Sequence, residues 1–454
     1  AAGPRRGVAL IDDAGPQTRA DLLSAARRLA SGAQTLWGVR PGARVGVACA
    51  AHRGFVTATA GLGLLGADAV LIPPDLPAAP LADLLAAQRV TALIHDGQVT
   101  DAPCPSLPWA DLVAAAGAAP ATTTDGAPVG GGGATRSRRG GRLVVLTSGT
   151  TGAPRGVIRR LSARTLLGPV STHLRHVALR PGVPLMVAAP PHHGYGLTYL
   201  AAALGLGARV VLAARLDPAA TWAALAEHGA GLLVALPTQL SRLCDQSGEP
   251  PASLRAVVTG AAPLSPELTA RLLDRFGDRV FNLYGSTEAG WAAIATPADL
   301  RAVPGTVGRA PRGIALTVRG PAGAVLPPGQ VGEVHVAGWA APGNAVATGD
   351  LGRFDRAGRL TLVGRVDDMI ISGGENVFPG AVRDMLAGHP RVRDAVVEPV
   401  ADPEFGQLLR ARVRLRDGSP AGVEAELRAW LRERLPPPQR PREILIEQHP
   451  CDEM

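Results

Sequence analysis

The chain has 454 residues, 46% of them hydrophobic and 19% charged, with a formal net charge of +8 and no lysine, so all 46 basic residues are arginine. This length predicts two domains, and the balance of apolar and charged residues excludes a disordered chain and argues against a membrane protein. The positive charge is scattered, aromatics make up only 3% of residues, and there is no basic helix or stacking platform, which argues against nucleic acid and for attraction of small phosphorylated ligands.

In chain order, the opening residues Ala1 to Arg6 lack the apolar core of a signal peptide, and nothing directs export. A helix rich in alanine and leucine is predicted from Leu22 to Leu36, then a turn over Gly38 to Gly42 and a strand over Arg44 to Ala48. The longest apolar stretch, Val56 to Pro73, is broken by Asp68 and reads as a helix followed by a strand, not as a membrane span. Gly61-Leu62-Gly63-Leu64-Leu65-Gly66 spells a dinucleotide fingerprint in the wrong context. A true one follows a strand and opens a helix, whereas these glycines close a helix and precede the strand Ala69 to Ile72.

Further short buried strands are predicted at Ala92 to His95, Pro184 to Ala189, Ala208 to Ala213 and Gly231 to Ala235, alternating with helical stretches, the pattern of a layered α/β protein. The segment Ala121 to Arg142 is too polar and glycine-rich to bury a core and is expected to be a mobile loop. Cys49, Cys104, Cys244 and Cys451 are widely spaced, so neither a zinc site nor a disulfide framework is indicated, and a reducing cytoplasm is the expected compartment. After Arg365 the pattern is that of a small α+β unit. It has a strand near Met369, a helix from Gly380 to Leu386, strands over Ala395 to Val400 and Leu408 to Leu415, and a helix from Val423 to Leu435.

The most informative segment follows the apolar run Leu143 to Leu146 and reads Thr147-Ser148-Gly149-Thr150-Thr151-Gly152-Ala153-Pro154-Arg155-Gly156. Glycines let backbone N–H groups approach an anion, Thr147, Ser148, Thr150 and Thr151 add hydroxyl donors, and Arg155 adds a fixed cation, so the segment reads as a cradle for a nucleotide triphosphate. It is not a Walker loop, because Arg155 leads into the strand-like Gly156-Val157-Ile158 and not into a helix. Downstream come Pro190-Pro191-His192-His193-Gly194-Tyr195-Gly196, Gly260-Ala261-Ala262-Pro263, Asn282-Leu283-Tyr284-Gly285-Ser286-Thr287-Glu288, Thr348-Gly349-Asp350, Gly364-Arg365-Val366-Asp367-Asp368 and Ile371-Ser372-Gly373-Gly374-Glu375-Asn376.

In wording and order these segments closely resemble the motifs of the adenylate-forming superfamily, nearest its acyl-CoA synthetase branch. The resemblance implies a large N-terminal domain, residues 1–364, of layered α/β subdomains with a small barrel-like part, and a small mobile α+β cap domain, residues 365–454, hinged at Asp367. It implies ATP, Mg²⁺ and CoA, or a carrier-protein pantetheine thiol, as reactants and cofactor. The reaction implied is activation of a small-molecule carboxylic acid as an acyl-adenylate, followed by thioester formation.

By the same resemblance, Gly260, Ala261, Ala262 and Pro263 border the adenine, with Gly285 and Ser286 close by. Tyr284 is expected to stack on the adenine ring and Asn282 to read its amine. Thr287 donates to the α-phosphate and Glu288 offers a hard carboxylate oxygen to Mg²⁺. Asp350 holds the ribose with Arg365, His193 lies at the acyl pocket with Leu197, Pro237, Thr238 and Gly260, and Gly373 and Gly374 line the thiol channel. His193, Thr287, Glu288 and Arg365 are thus the candidate catalytic residues.

The chain departs from the superfamily pattern in three places. Arg155 stands where relatives usually carry lysine, exchanging a compact ammonium for a planar fork. Gly380 to Arg383 stand where relatives usually carry glutamates. The superfamily's catalytic lysine is expected just where the residues up to Met454 stop, and the expectation is of a sequence cut short at both ends. A chain that truly lacked the lysine would fit a specialised member activating a non-carboxylate acid such as nitrite for N–N bond formation, or a nucleotide-binding pseudoenzyme. An aspartate to pair with an amino group is missing near His192-His193-Gly194-Tyr195, which disfavours amino acids as substrates.

Overall fold

The computed structural model describes residues 7–99, 102–118, 140–147, 155–159, 171–172, 175–177, 180, 182–213, 217–286, 290–338, 341–372, 375–402, 406–416 and 422–447. The chain divides into two compact units, Ala1–Ala261 and Ala262–Met454. Among the described residues no helix is long and apolar enough to cross a membrane.

The first unit holds two largely parallel sheets. One has strand order Ser106–Pro108, Ala92–His95, Arg44–Ala48, Asp68–Leu71, Leu143–Thr147 and Arg155–Arg159, parallel except for the last antiparallel pair. The other runs Ala256–Gly260, Leu232–Val234, Leu185–Val187, Val210–Leu212 and Val8–Asp12, all parallel, and ends with the antiparallel Gly15–Thr18. Such strands read as continuous apolar runs because helices cover both faces. On the first sheet the helix Ala78–Ala87 buries Leu81, Leu84 and Leu85 against Val70, Leu93 and Val144.

Two local features settle sequence expectations. The helix Arg53–Leu65 ends at Gly66 in the left-handed conformation (φ 74°), so the glycines of the apparent fingerprint close a helix. Gly140 to Arg142, expected within a mobile loop, are described, and Arg142 is fixed. Its Nε lies 3.0 Å from both oxygens of the buried Asp68 and its amide donates to the same carboxylate. A fully desolvated carboxylate requires such a partner, and the pair aligns the neighbouring strands Asp68–Leu71 and Leu143–Thr147.

The second unit contains the hairpin Val280–Ser286 and Gly290–Ala295, and a four-stranded antiparallel sheet in the order Ala315–Arg319, Gly332–Gly338, Ala341–Phe354 and Leu360–Arg365. It also contains a C-terminal sheet of Glu375–Val377, Ile370–Ser372, Gly406–Leu415 and Val392–Asp402, with Glu443–Glu447 added in parallel to Gly406–Leu415. The helices Pro379–Ala387 and Val423–Arg434 fall where the sequence predicts them, and bury Val382, Leu386, Leu427 and Leu431 in the core of this sheet. Glu443–Glu447 was not anticipated. Its Glu443 and Glu447 pair with Arg410 at 2.6 Å and Arg414 at 3.0 Å, while Ile444 packs into the core.

Candidate active site

In the first unit, the phosphate segment leaves the strand Leu143–Thr147 and re-enters the sheet at Arg155–Arg159, with Thr147 opposite Arg155. Ser148 to Pro154, which include the predicted Ser148, Gly149, Thr150, Thr151 and Gly152, lie outside the described residues, as do the side chains of Thr147 and Arg155. The segment therefore connects two adjacent antiparallel strands at the end of a buried strand, where ligands of open α/β sheets gather.

Of the predicted acyl residues, His193, Pro237, Thr238 and Gly260 lie around the carboxyl ends of three neighbouring strands of the other sheet. Ala188 and Ala189 both donate to Val234 O, and Ala235 donates to Val258 O, so the ends of Leu185–Val187, Leu232–Val234 and Ala256–Gly260 are held together. Pro237 opens the helix Pro237–Cys244, whose Gln239 donates to Ala188 O at 2.9 Å, and Thr238 is exposed in its first turn. Ala261 directly follows Ala256–Gly260 and takes φ 62°, a left-handed conformation costly for a residue with a Cβ.

His192 and His193 stand side by side, ring centres 4.4 Å apart, ahead of the helix Gly194–Leu206. Gly196 is required there, since a Cβ would lie 2.5 Å from both Ala189 O and Pro190 O. Desolvation lowers the pKa of His193, and desolvation together with the neighbouring His193 brings His192 down to about 4, so His192 is neutral at physiological pH. The buried Nδ1 of His192 has no hydrogen-bond partner among the described residues. Tyr195 donates to Val258 O at 2.9 Å. Leu197 faces elsewhere, lining a cavity of about 290 Å³ with Phe55, Thr59, Leu200 and Leu204.

In the second unit, Tyr284, Thr348, Asp350 and Arg365 meet although they span eighty residues of sequence. Asp350 and Arg365 are register partners across the strands Ala341–Phe354 and Leu360–Arg365. Arg365 donates to Asp350 Oδ1 at 2.9 Å, and the Tyr284 hydroxyl donates to Oδ2 at 2.6 Å. Thr348 Oγ1 lies 3.0 Å from the same hydroxyl, donates to Val334 O and accepts the Asp350 amide. Gly349, between them, sits at φ 73°, and a Cβ there would come within 3.0 Å of the Arg365 guanidinium. Burial, and then the Asp350 charge, push the Tyr284 hydroxyl far above the usual tyrosine range, so it remains a donor.

An ionised carboxylate offers about four acceptor positions, and two of those on Asp350 are committed to Tyr284 and Arg365. The others can take two vicinal hydroxyls. Asn282 is buried on the same strand as Tyr284 and donates to Thr306 O at 3.0 Å, while Gly285, Ala262 and Pro263 are exposed. Asp367 is half exposed beyond the strand Leu360–Arg365, 3.8 Å from Arg365. Thr287, Glu288, Gly373, Gly374 and the Ser286 side chain lie outside the described residues. Sequence reasoning did not single out Thr348 as a bridge, or His192 and Tyr195. The signal for the last two was their place beside His193.

Residues 1–341 match the family described as AMP-binding enzyme, and residues 382–450 match the AMP-binding enzyme C-terminal domain. The chain belongs to the AMP-binding enzyme family. Among curated relatives, a feruloyl-CoA synthase from Amycolatopsis sp. is 31% identical over 92% of this chain and 87% of its own length. A sulfoacetate–CoA ligase from Cupriavidus necator is 34% identical over 63% of this chain, and the match spans only 59% of that relative. The fold of this AMP-binding enzyme is that of o-succinylbenzoate CoA synthetase (MenE) from Bacillus subtilis in complex with its acyl-adenylate intermediate (TM-score 0.84, 24% identity, covering 99% of this chain and 93% of that one). It is also similar to the amide bond synthetase McbA from Marinactinospora thermotolerans (TM-score 0.78, 27% identity, covering 97% and 93%).

Proposed function

We propose that this AMP-binding enzyme activates a carboxylic acid with ATP, forming an acyl-adenylate and pyrophosphate, and then passes the acyl group to the thiol of CoA or of a carrier-protein pantetheine. The observation that carries the reading is the Asp350 carboxylate, clamped by Tyr284 and Arg365 with acceptor positions to spare for a ribose diol. The curated CoA-ligase relatives support the same reaction class.

In this reading the carboxylate oxygen of the acid attacks the α-phosphorus, pyrophosphate leaves, and the protein contributes mainly by positioning and charge neutralisation. The segment Thr147 to Arg155 cradles the phosphates, with Thr287 on the α-phosphate. Glu288 is the carboxylate assigned to Mg²⁺, which would supply charge neutralisation on the phosphate oxygens. Gly260 to Pro263, Asn282, Tyr284, Gly285 and Ser286 surround the adenine. His193, Pro237, Thr238 and Gly260 form the acid pocket, without the Leu197 expected there, which lines a different cavity.

The half-exposed Asp367, between Leu360–Arg365 and Ile370–Ser372, is assigned as the hinge of a cap domain over residues 365–454. Its rotation would bring Gly373 and Gly374 to the thiol channel for the second half-reaction. The cytoplasm, where ATP and CoA are plentiful, is the compartment this chemistry requires.

The test is acid-dependent exchange of labelled pyrophosphate into ATP across a panel of carboxylic acids, with nitrite as a separate arm. Exchange with a carboxylic acid, abolished in Asp350→Ala, is the expected result. AMP release with nitrite alone would replace the reading by N–N chemistry, and nucleotide binding without any exchange would reduce it to a binding protein.

A further inference from the structure

We infer that the first unit carries a binding site for a small neutral alcohol beneath the helix Pro218–Glu227. None of its residues is among those assigned to the nucleotide or the acid, so the inference stands apart from the adenylation reading.

A cavity of about 170 Å³ lies between this helix and the second sheet. Its floor is set by strand register. Ile11, Val211 and Met186 are partners across three adjacent parallel strands, so their side chains form one row on one face. The helix turns Ala220, Thr221 and Ala224 toward that row, and side chains this small leave the space between helix and sheet unfilled.

Thr221 decides what the cavity takes. The residue is only 2% exposed, and its Oγ1, in the cavity wall, has no hydrogen-bond partner among the described residues. Other helical threonines avoid this state, for the hydroxyls of Thr59, Thr198 and Thr269 each donate to the carbonyl four residues earlier. Buried hydroxyls are normally paired, so the wall presents a polar group that an occupant of the cavity would satisfy.

The charge of that occupant follows from Asp12, the buried carboxylate of the lining. Both of its oxygens are taken by Arg53 and by the Ala14 amide. A charged head beside Thr221 would therefore be desolvated without a buried counter-charge to receive it. Asp13 and His228, the other titratable groups of the lining, are on its solvent side, the first exposed and the second half-buried. A neutral hydroxyl fits, because it can both donate to and accept from Thr221, while Met186, Val211 and Leu212 offer an apolar bed. An apolar cavity of about 150 Å³ takes up a benzene ring, so the space suits an aliphatic alcohol of about four to six carbons.

The experiment titrates 1-hexanol, 1-butanol and n-hexylamine into the full chain by calorimetry, for the wild type, Thr221→Val and Ala224→Leu, with thermal melting in parallel. The wild type is expected to bind hexanol at a single saturable site and butanol roughly tenfold more weakly, for want of two methylenes. Thr221→Val keeps the shape and loses the hydroxyl, so hexanol affinity should fall about two- to tenfold while the free variant melts no lower than the wild type. Ala224→Leu fills the cavity and should abolish binding. If it does not fold, Ala224→Val takes its place, with a partial loss expected.

Absence of saturable hexanol binding by the wild type would mean that water alone fills the cavity and would overturn the inference. Affinity unchanged in Thr221→Val removes the hydroxyl from recognition, and affinity unchanged in the cavity-filling variant places the alcohol elsewhere; either result sinks the assignment. Tighter binding of hexylamine than of hexanol would overturn the neutral head.

Discussion

The corner around Asp350 and the helix start around Tyr195 hold their groups by opposite means. Asp350 has a guanidinium on one oxygen and a phenol on the other, with Thr348 bracing the phenol and the backbone. Tyr195 has one carbonyl and one ring edge, and His192 beside it has a buried nitrogen without a partner among the described residues. The first is a preorganised polar network, each member fixed by a charged or hydroxyl partner. The second is held by one neutral hydrogen bond and by ring packing.

If that contrast holds, the largest loss follows from Asp350→Ala. It removes the acceptor that the proposed reading gives to both ribose hydroxyls and strands Tyr284, and hydrogen bonds to charged groups contribute about 1.5 to 3 kcal/mol each. Pyrophosphate exchange should fall by about a hundredfold or more, and a loss under about fivefold would break the comparison. Tyr284→Phe removes a single donor and should cost about 2 kcal/mol. A double-mutant cycle with Asp350→Asn measures the coupling, and strict additivity would show that the corner is not a network.

Gly349→Ala sharpens the same side. It forces a Cβ into a left-handed backbone and toward Arg365, and should lower stability by about 1 to 2 kcal/mol in urea unfolding. On the other side, Tyr195→Phe loses one neutral hydrogen bond, and a stability loss of about 1 kcal/mol is expected.

A pH-dependent effect belongs to His192. Its folded pKa is lowered from 6.5 to about 4, so the unfolded chain binds the proton more tightly. The neutral residue thus contributes stability that is complete above pH 6.5 and is lost as pH falls toward 4. Unfolding midpoints of His192→Asn should decline less than those of the wild type across that window. Parallel curves would remove the imidazole from the account.

Much of the fold was legible because its cues are local. The buried strands Ala92–His95 and Leu143–Thr147 are apolar runs, and the C-terminal helices carry the helical repeat. The hairpin Val8–Asp12 and Gly15–Thr18 was missed because Asp12, Asp13 and Gly15 read as loop, yet Asp12 is buried against Arg53. Glu443–Glu447 was missed because its acidic ends look solvated until the arginines of the neighbouring strand are known. In the candidate site, motif wording pointed to Tyr284, Asp350 and Arg365 singly. That the first bonds directly to the second, 66 residues away, is a property of strand register that no local pattern carries.

The ladder joining Glu443–Glu447 to Gly406–Leu415 works as a key for chain alignment. Arg410, Arg412 and Arg414 project at alternate positions, and only one register sets Glu443 opposite Arg410 and Glu447 opposite Arg414 while turning Ile444 inward. Sliding by a single residue would turn the isoleucines toward water and the carboxylates toward oil, so the closing strand can seat in one way. Because guanidinium groups do not lose their protons in any ordinary buffer, the key keeps its teeth in alkaline solution until the carboxylates' partners, and not their charges, are taken away.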